Sequence, residues 1–269
     1  MKHLLLTMVL LLQLSASDKL VFGAISTIEP DLMEKKLLPI LNYLEKVTGK
    51  KIVFKTGYNY TDTIEQFANA QFDIGYIGPA PYIKVKDLNP HSIDLIAGIK
   101  NKKTKPFASV IVSKKGSLIH SLERINQHTL AFGSPESTLS YYVPMSILMK
   151  TNTIKKIKQY DFLGRHDKVA QYVIMGKYDL GAIKRSIADK YSKYLQVVKQ
   201  SQSMPDFVIV SNASLDPKIT KKIQKALLAL KDPNILHSIK KSVIGFELKK
   251  DSDYDALRKI MKEVESFKE

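Results

Sequence analysis

Short apolar runs alternate with segments of helical period along most of this chain, and no other feature of the sequence constrains its fold as much. Residues 20–24 read as a strand; Met33, Leu37, Ile40, Leu41, Leu44 and Val47 then recur at helical spacing up to Gly49, a stop signal. A second strand is expected at 52–54. Asp62-Thr63-Ile64-Glu65 has the form of a capping box opening a short helix through Phe67. The run 72–78 reads as a buried strand, and 79–86 begins another helix. Strands alternating with helices imply parallel sheets joined by crossovers.

Further strands are expected at 93–99 and 109–112, and beyond Lys114-Lys115-Gly116-Ser117 the alternation starts again. Strands at 130–132, 160–162 and 179–182 are separated by helices from about Thr138 and from about Asp167 to Met175. Strands at 195–198 and 207–210 follow, and then three largely helical segments. This order predicts an α/β protein of two lobes, each a mostly parallel sheet flanked by helices. The chain is expected to cross near Val112 and recross near Asp206. Lobe 1 would then comprise 18–112 and the return segment 206–269, and lobe 2 would comprise 113–205. Ligands of open α/β sheets sit beyond the carboxyl ends of strands, so a site between the lobes is expected.

Residues 1–17 carry one Lys, a largely apolar block and small residues at their end, the pattern of a cleavable secretory signal with cleavage near Ser17. The chain has no cysteine, which excludes a disulfide and a lipid-anchoring cysteine after that signal. A soluble periplasmic protein is expected, with no integral membrane segment after the signal. The formal charge of +16 favours anionic partners. Its lysines are scattered as pairs such as Lys35-Lys36 and Lys102-Lys103, a solvated surface more than a nucleic-acid track, and nucleic acid is not an expected partner.

The stretch from Phe132 to Pro144, F-G-S-P-E-S-T-L-S-Y-Y-V-P, has the order strand, turn, helix start. The first N–H groups of a helix lack intrahelical partners and carry partial positive charge, so Ser137 and Thr138 stand where an anion binds well. The alternative is that Ser137 only caps its own helix. Pro144 would cost a hydrogen bond about seven residues into a helix, so either the regular helix begins near Val143 or it bends there.

Several motifs follow one another in order: D-I-G-Y-I-G-P-A-P-Y from Asp73, F-A-S-V-I-V from Phe107, F-G-S-P-E-S-T-L-S from Phe132, G-R-H-D-K-V-A from Gly164, G-K-Y-D-L-G-A from Gly176 and M-P-D from Met204. Together they resemble the phosphate/phosphite/phosphonate substrate-binding proteins of ABC transporters, over nearly the whole chain after the signal. The resemblance implies a type II periplasmic-binding-protein fold that closes on a tetrahedral oxyanion, without cofactor or metal. It places ligand contacts at Tyr60, Phe107, Ser137, Thr138, His166 and Asp206. Leu139 stands where the family's turn has a third hydroxyl, and Ser140 is a substitute. Phe107 stands where the family has a second tyrosine; a phenyl walls a pocket but cannot donate.

Tyr76 and Tyr82 match a first-lobe signature and are secondary candidates. His166 is expected at the mouth of a helix, with its charge state open, because a helix N-terminus lowers its pKa and a bound anion raises it. Asp206 would pair with a ligand amine or accept a proton from a monoprotonated oxyanion. Ile183-Lys184-Arg185 replaces an expected companion acid, which fits a compact anion if Lys184 or Arg185 faces the cleft; a solvated basic turn is the alternative. The implied partner is an ABC permease or, alternatively, the outer domain of a sensor kinase. A third reading, an exported enzyme acting on a phosphorylated small molecule, lacks sequence support: there is no metal-spaced His/Asp/Glu cluster and no G-x-S-x-G elbow.

Overall fold

Strand β1 (Lys19–Ala24) and the helix after it, α1 (Pro30–Thr48), set the pattern for the first lobe. Met33, Leu37, Ile40, Leu41 and Leu44 form the buried stripe of α1, and Gly49 ends the helix at φ 73°, donating its N–H to the carbonyl of Glu45 at 2.8 Å. Glycine accepts that left-handed conformation without a Cβ clash. The computed structural model describes residues 18–104 and 106–267; the expected signal, 1–17, lies outside them.

Next come β2 (Lys51–Lys55), α2 (Tyr60–Ala68), β3 (Ile74–Ile77), α3 (Pro79–Leu88) and β4 (Ile93–Asn101). Helix α2 starts ahead of the expected capping box. Asn59 is its cap, accepting from the N–H of Asp62 at 2.9 Å, while the Asp62 carboxylate reaches back to the N–H of Tyr58 at 2.8 Å. Asp62 is therefore the acidic partner within the first turn.

The second lobe holds β5 (Ser109–Lys114), β6 (Thr129–Phe132), α4 (Val143–Lys150), β7 (Gln159–Phe162), α5 (His166–Ile174), β8 (Leu180–Lys184), α6 (Arg185–Lys190) and β9 (Leu195–Gln200). The chain then returns through β10 (Val208–Asn212), α7 (Pro217–Ala229), α8 (Pro233–Ile239), β11 (Val243–Glu247) and α9 (Asp255–Glu265). Strand order is β11-β4-β10-β3-β1-β2 in the first sheet and β7-β6-β8-β5-β9 in the second. Because β5 lies wholly in the second sheet, paired to β8 and β9, the first crossing falls at 102–108, ahead of Val112. The return falls between β9 and β10, at 201–207.

The two-lobed α/β architecture is present, with mixed sheets where mostly parallel ones were expected. β1 pairs in parallel with β2 and β3, as β6 does with β7 and β8. The strands next to the crossings run the other way: β10 is antiparallel to β3 and β4, and β5 to β8 and β9. The crossings cause this, because a strand that has come from the other lobe enters its sheet from the cleft end. β11 also corrects an expectation, since only helices were foreseen there; its run V-I-G-F-E is too short to show a period, and it pairs with the edge of β4.

Both faces of the central strands are covered, which is why β10 is buried at every position. Gly23 of β1 and Gly75 of β3 are register partners, and each lets a phenyl ring lie directly on the sheet. A Cβ on Gly75 would stand 2.1 Å from Phe67 and one on Gly23 2.4 Å from Phe72, two rings packed edge to face at 4.6 Å. Gly75→Ala is therefore expected to destabilise the fold by about 1–3 kcal/mol, as overpacked cores do. An unchanged urea midpoint would show that the Phe67 ring moves aside freely.

Candidate functional site

Four helix starts converge between the lobes. Tyr60 opens α2, Gly78 precedes α3, Ser137 precedes the turn that leads into α4, and His166 opens α5. Each start carries N–H groups without intrahelical acceptors, so their partial positive charges add in one place. The cavity they surround has a volume of ≈ 20 Å³. That is room for one or two water-sized groups, since one water needs roughly 10–15 Å³.

The turn after β6 is built as a wide π-helical turn, Thr138–Tyr142, before α4 becomes regular at Val143. Pro144 explains this: lacking an N–H it cannot continue an ordinary turn, and it sits instead at the start of α4, where that donor is not needed. The Ser137 hydroxyl caps the turn, accepting from the N–H of Ser140 at 3.1 Å. It also lines the cavity, so capping and facing the cavity are both true of one oxygen. Ser140 does not substitute for a missing third hydroxyl there. Its Oγ accepts from Gly133 N at 2.7 Å and donates to the carbonyl of Ala182, which ties the turn to β8.

Thr138 joins the lobes. Its Oγ1 accepts from the N–H of Ala80, in the first turn of α3, at 2.8 Å. Tyr60 is buried and lines the cavity beside Ser137; burial pushes its phenol pKa up, so the phenol stays neutral. His166 accepts at Nδ1 from the backbone N–H of Lys184, 3.0 Å away, which leaves the proton on Nε2, 3.3 Å from the Ser137 Oγ. Burial, and then the Lys184 charge, hold its pKa well below the ordinary value. The imidazole is thus neutral, with its one N–H aimed at the Ser137 side of the cavity.

Lys184 faces the cleft and reaches across it, donating from Nζ to Thr27 Oγ1 at 2.8 Å. Nearby Arg165 pairs with Glu29 across the same gap. Arg185 turns away instead, to Asp189 at 2.7 Å and to Gln200, and does not line the cavity. The remaining walls are Pro81, Phe107, Leu139 and Phe207. Among the described residues no carboxylate lines the cavity, and no group of three or more His, Asp or Glu side chains is placed to hold a metal ion.

Three other candidates lie elsewhere. Asp206 is buried, but its carboxylate is consumed by Lys240, Asn101 Nδ2 and the N–H of Phe207, and it does not reach the cavity. It fixes the start of the returning strand. Tyr76 stacks behind Phe207 with ring centroids 4.6 Å apart, and Tyr82 donates to Asp251 at 2.7 Å beside Tyr254. Both are packing residues.

Thr27, Gly78 and Phe207 were not foreseen. Thr27 lies just past the carboxyl end of β1, so the strand-end rule applied to β1 would have found it. Phe207 has no such signal, because its position depends on β10 being inserted between β3 and β4.

The family model described as "ABC transporter, phosphonate, periplasmic substrate-binding protein" matches residues 22–254. Among curated proteins, the phosphate-import protein PhnD of Mycolicibacterium smegmatis is 23% identical over 216 residues, covering 69% of this chain and 64% of that one. The probable ABC transporter phosphite binding protein PhnD1 of Prochlorococcus marinus is 26% identical over 174 residues, covering 61% and 58%. The matched stretches therefore span less than two thirds of either relative. The fold superposes on the crystal structure of Prochlorococcus marinus PhnD1 in complex with methylphosphonate with a TM-score of 0.82, at 22% identity, over 93% of this chain and 99% of that one.

Lys184 carries a testable consequence for stability. Burial, and then the charges of Lys36 and Lys240, lower its pKa from 10.5 to about 7. The charged form is the one disfavoured on folding, so its penalty is full below about pH 7 and is relieved as pH rises toward 10.5, while the unfolded chain still holds the proton. Lys184→Met is expected to remove a rise in unfolding free energy of up to about 1.4 kcal/mol per pH unit across that window. Parallel pH profiles for the two proteins in urea unfolding would mean that the ammonium stays in water.

Proposed function

Because this chain belongs to the family of periplasmic substrate-binding proteins of phosphonate ABC transporters, we propose that it captures a small tetrahedral oxyanion by closing its lobes and presents it to an ABC permease. The observation that carries this reading is the cavity's chemistry. Four helix starts, the Tyr60, Ser137 and Thr138 hydroxyls, the His166 N–H and the Lys184 ammonium converge on it. Such a set is complementary to an acceptor-only, negatively charged ligand. Relatives carrying the names phosphate-import protein and phosphite binding protein support phosphate, phosphite or a simple phosphonate as that ligand.

The chemistry asked of the protein is binding. His166, neutral and held at Nδ1, serves as a hydrogen-bond donor, and among the described residues its ring nitrogens meet the Lys184 N–H and the Ser137 hydroxyl, with no carboxylate bonded to either. The family reading supports a place in the periplasm, and the proposed export by a cleavable signal at 1–17 rests on the apolar block and small residues there. No helix among the described residues is long and apolar enough to cross a membrane. The family reading also favours the permease over a sensor kinase as partner.

Closure would work through the groups that already join the lobes. Ser137 and Thr138 belong to one lobe, Tyr60, Thr27 and Ala80 to the other, and an oxyanion between them gives each set a shared acceptor. A cavity of ≈ 20 Å³ admits it only as the lobes part and re-close. The closed form gains stability in proportion to how well both halves contact the ligand.

Calorimetric titration of the protein, purified free of phosphate, with phosphate, phosphite and methylphosphonate tests this reading. Tight binding of at least one is expected, and Ser137→Ala and Tyr60→Phe should each weaken it by about 1–3 kcal/mol, the loss of a hydrogen bond to a charged group. Heat signals absent for all three anions would overturn the assignment.

A further inference from the structure

Beside the anion cavity lies a second, larger cleft of ≈ 740 Å³ that shares Phe107 and Lys184 with it. Its walls come from both lobes: Lys102 beyond β4 and Lys240 and Lys241 ahead of β11 on one side, Lys184 at the end of β8 with Arg185 and Lys190 of α6 on the other. These six cations face one carboxylate, Asp189. Asp189 pairs with Arg185, and Asp206, from behind, with Lys240. Positive charge is still in excess.

The boundary between the two spaces is made by the residues they share. The Phe107 ring walls the small cavity, and the Lys240 Nζ lies 5.3 Å from the centre of that ring. Lys184 reaches Thr27 beside the small cavity and also lines the large cleft. A cavity of ≈ 20 Å³ leaves no space for a substituent beside an oxyanion held by Tyr60, Ser137, Thr138 and His166, so any substituent it carries needs an outlet. The adjoining cleft has the volume to take one. An ammonium there would meet like charge, a neutral alkyl tail would gain little from the lysines, and an anionic end would be attracted.

The geometry points to this cleft as a subsite for the second anionic group of a bifunctional ligand: a phosphonate or phosphate whose substituent ends in a carboxylate or another phosphate. The inference rests on the oxyanion-capture reading above and adds the charge of the tail. Because the cleft is walled by both lobes, a tail anion would also contribute to closure.

Calorimetry at low ionic strength with methylphosphonate, propylphosphonate, 3-phosphonopropionate and 2-aminoethylphosphonate compares a minimal ligand with neutral, anionic and cationic tails. The expected order is 3-phosphonopropionate at least about tenfold tighter than propylphosphonate, as one added charge-assisted hydrogen bond would give, and 2-aminoethylphosphonate weaker than both. Arg185→Gln/Lys241→Gln should erase the preference for the anionic tail while leaving propylphosphonate affinity in place. If methylphosphonate binds but the anionic tail brings no gain, or a gain that persists in the double variant, the subsite is overturned and oxyanion capture stands. If none of the four binds, the subsite is overturned, and oxyanion capture stands or falls on the phosphate and phosphite titrations above.

Discussion

Helix starts must find acceptors for their first N–H groups, and in this protein four of them face one another across a cleft instead of facing water. That arrangement is unfavourable for a cation and favourable for an anion. The lobes meet by satisfying part of the demand themselves. Thr138 accepts from Ala80 N, and Ser137 caps its own turn while touching Tyr60 and His166. The groups that stabilise the closed arrangement are therefore also the groups that would hold an oxyanion, and the contact between lobes and the recognition of ligand share one set of atoms.

The crossings make that arrangement possible. The chain leaves the first sheet after β4 and comes back as β10, which inserts between β3 and β4. Asp206 stands at the entry of β10, buried and engaged by Lys240, Asn101 and the N–H of Phe207. A carboxylate so fully engaged fixes where the returning strand starts, and with it Phe207, a wall of the cavity. Helix α9 adds a second tie: its Glu265 accepts from Lys84 of α3 at 2.6 Å and from Tyr142, just ahead of α4, at 2.9 Å. The C-terminal helix thus touches both lobes.

Charge near the cleft is graded. Inside the cavity the donors are mostly neutral, with Lys184 the one ammonium among the residues lining it, and that ammonium is held at a pKa of about 7 by burial and by Lys36 and Lys240. Outside it the lysines and Arg185 accumulate with few acids to balance them. Neutral donors preserve the discrimination of hydrogen-bond geometry, while the outer cations supply attraction at longer range.

The sequence alone determined the α/β class, the two-part organisation and the Ser-Thr turn ahead of α4, because each depends on local order: apolar runs alternating with helical stripes, and a Ser-Thr pair placed between a strand and a helix. Ser137 and Thr138 were legible as candidates for the same reason, whereas Tyr60 and His166 became candidates only through the resemblance to the family. What only the tertiary structure decided were relations between distant segments. Lys240 takes the charge of Asp206, Ala182 and Gly133 take the hydroxyl of Ser140, and Thr27 meets Lys184 from the opposite lobe. The antiparallel insertion of β10 belongs to the same class, as does the choice of Lys184 over Arg185 to face the cavity. A side chain's residue type states what it can donate or accept; which partner takes it depends on what the folded chain brings within about 3 Å, and no local pattern encodes that distance.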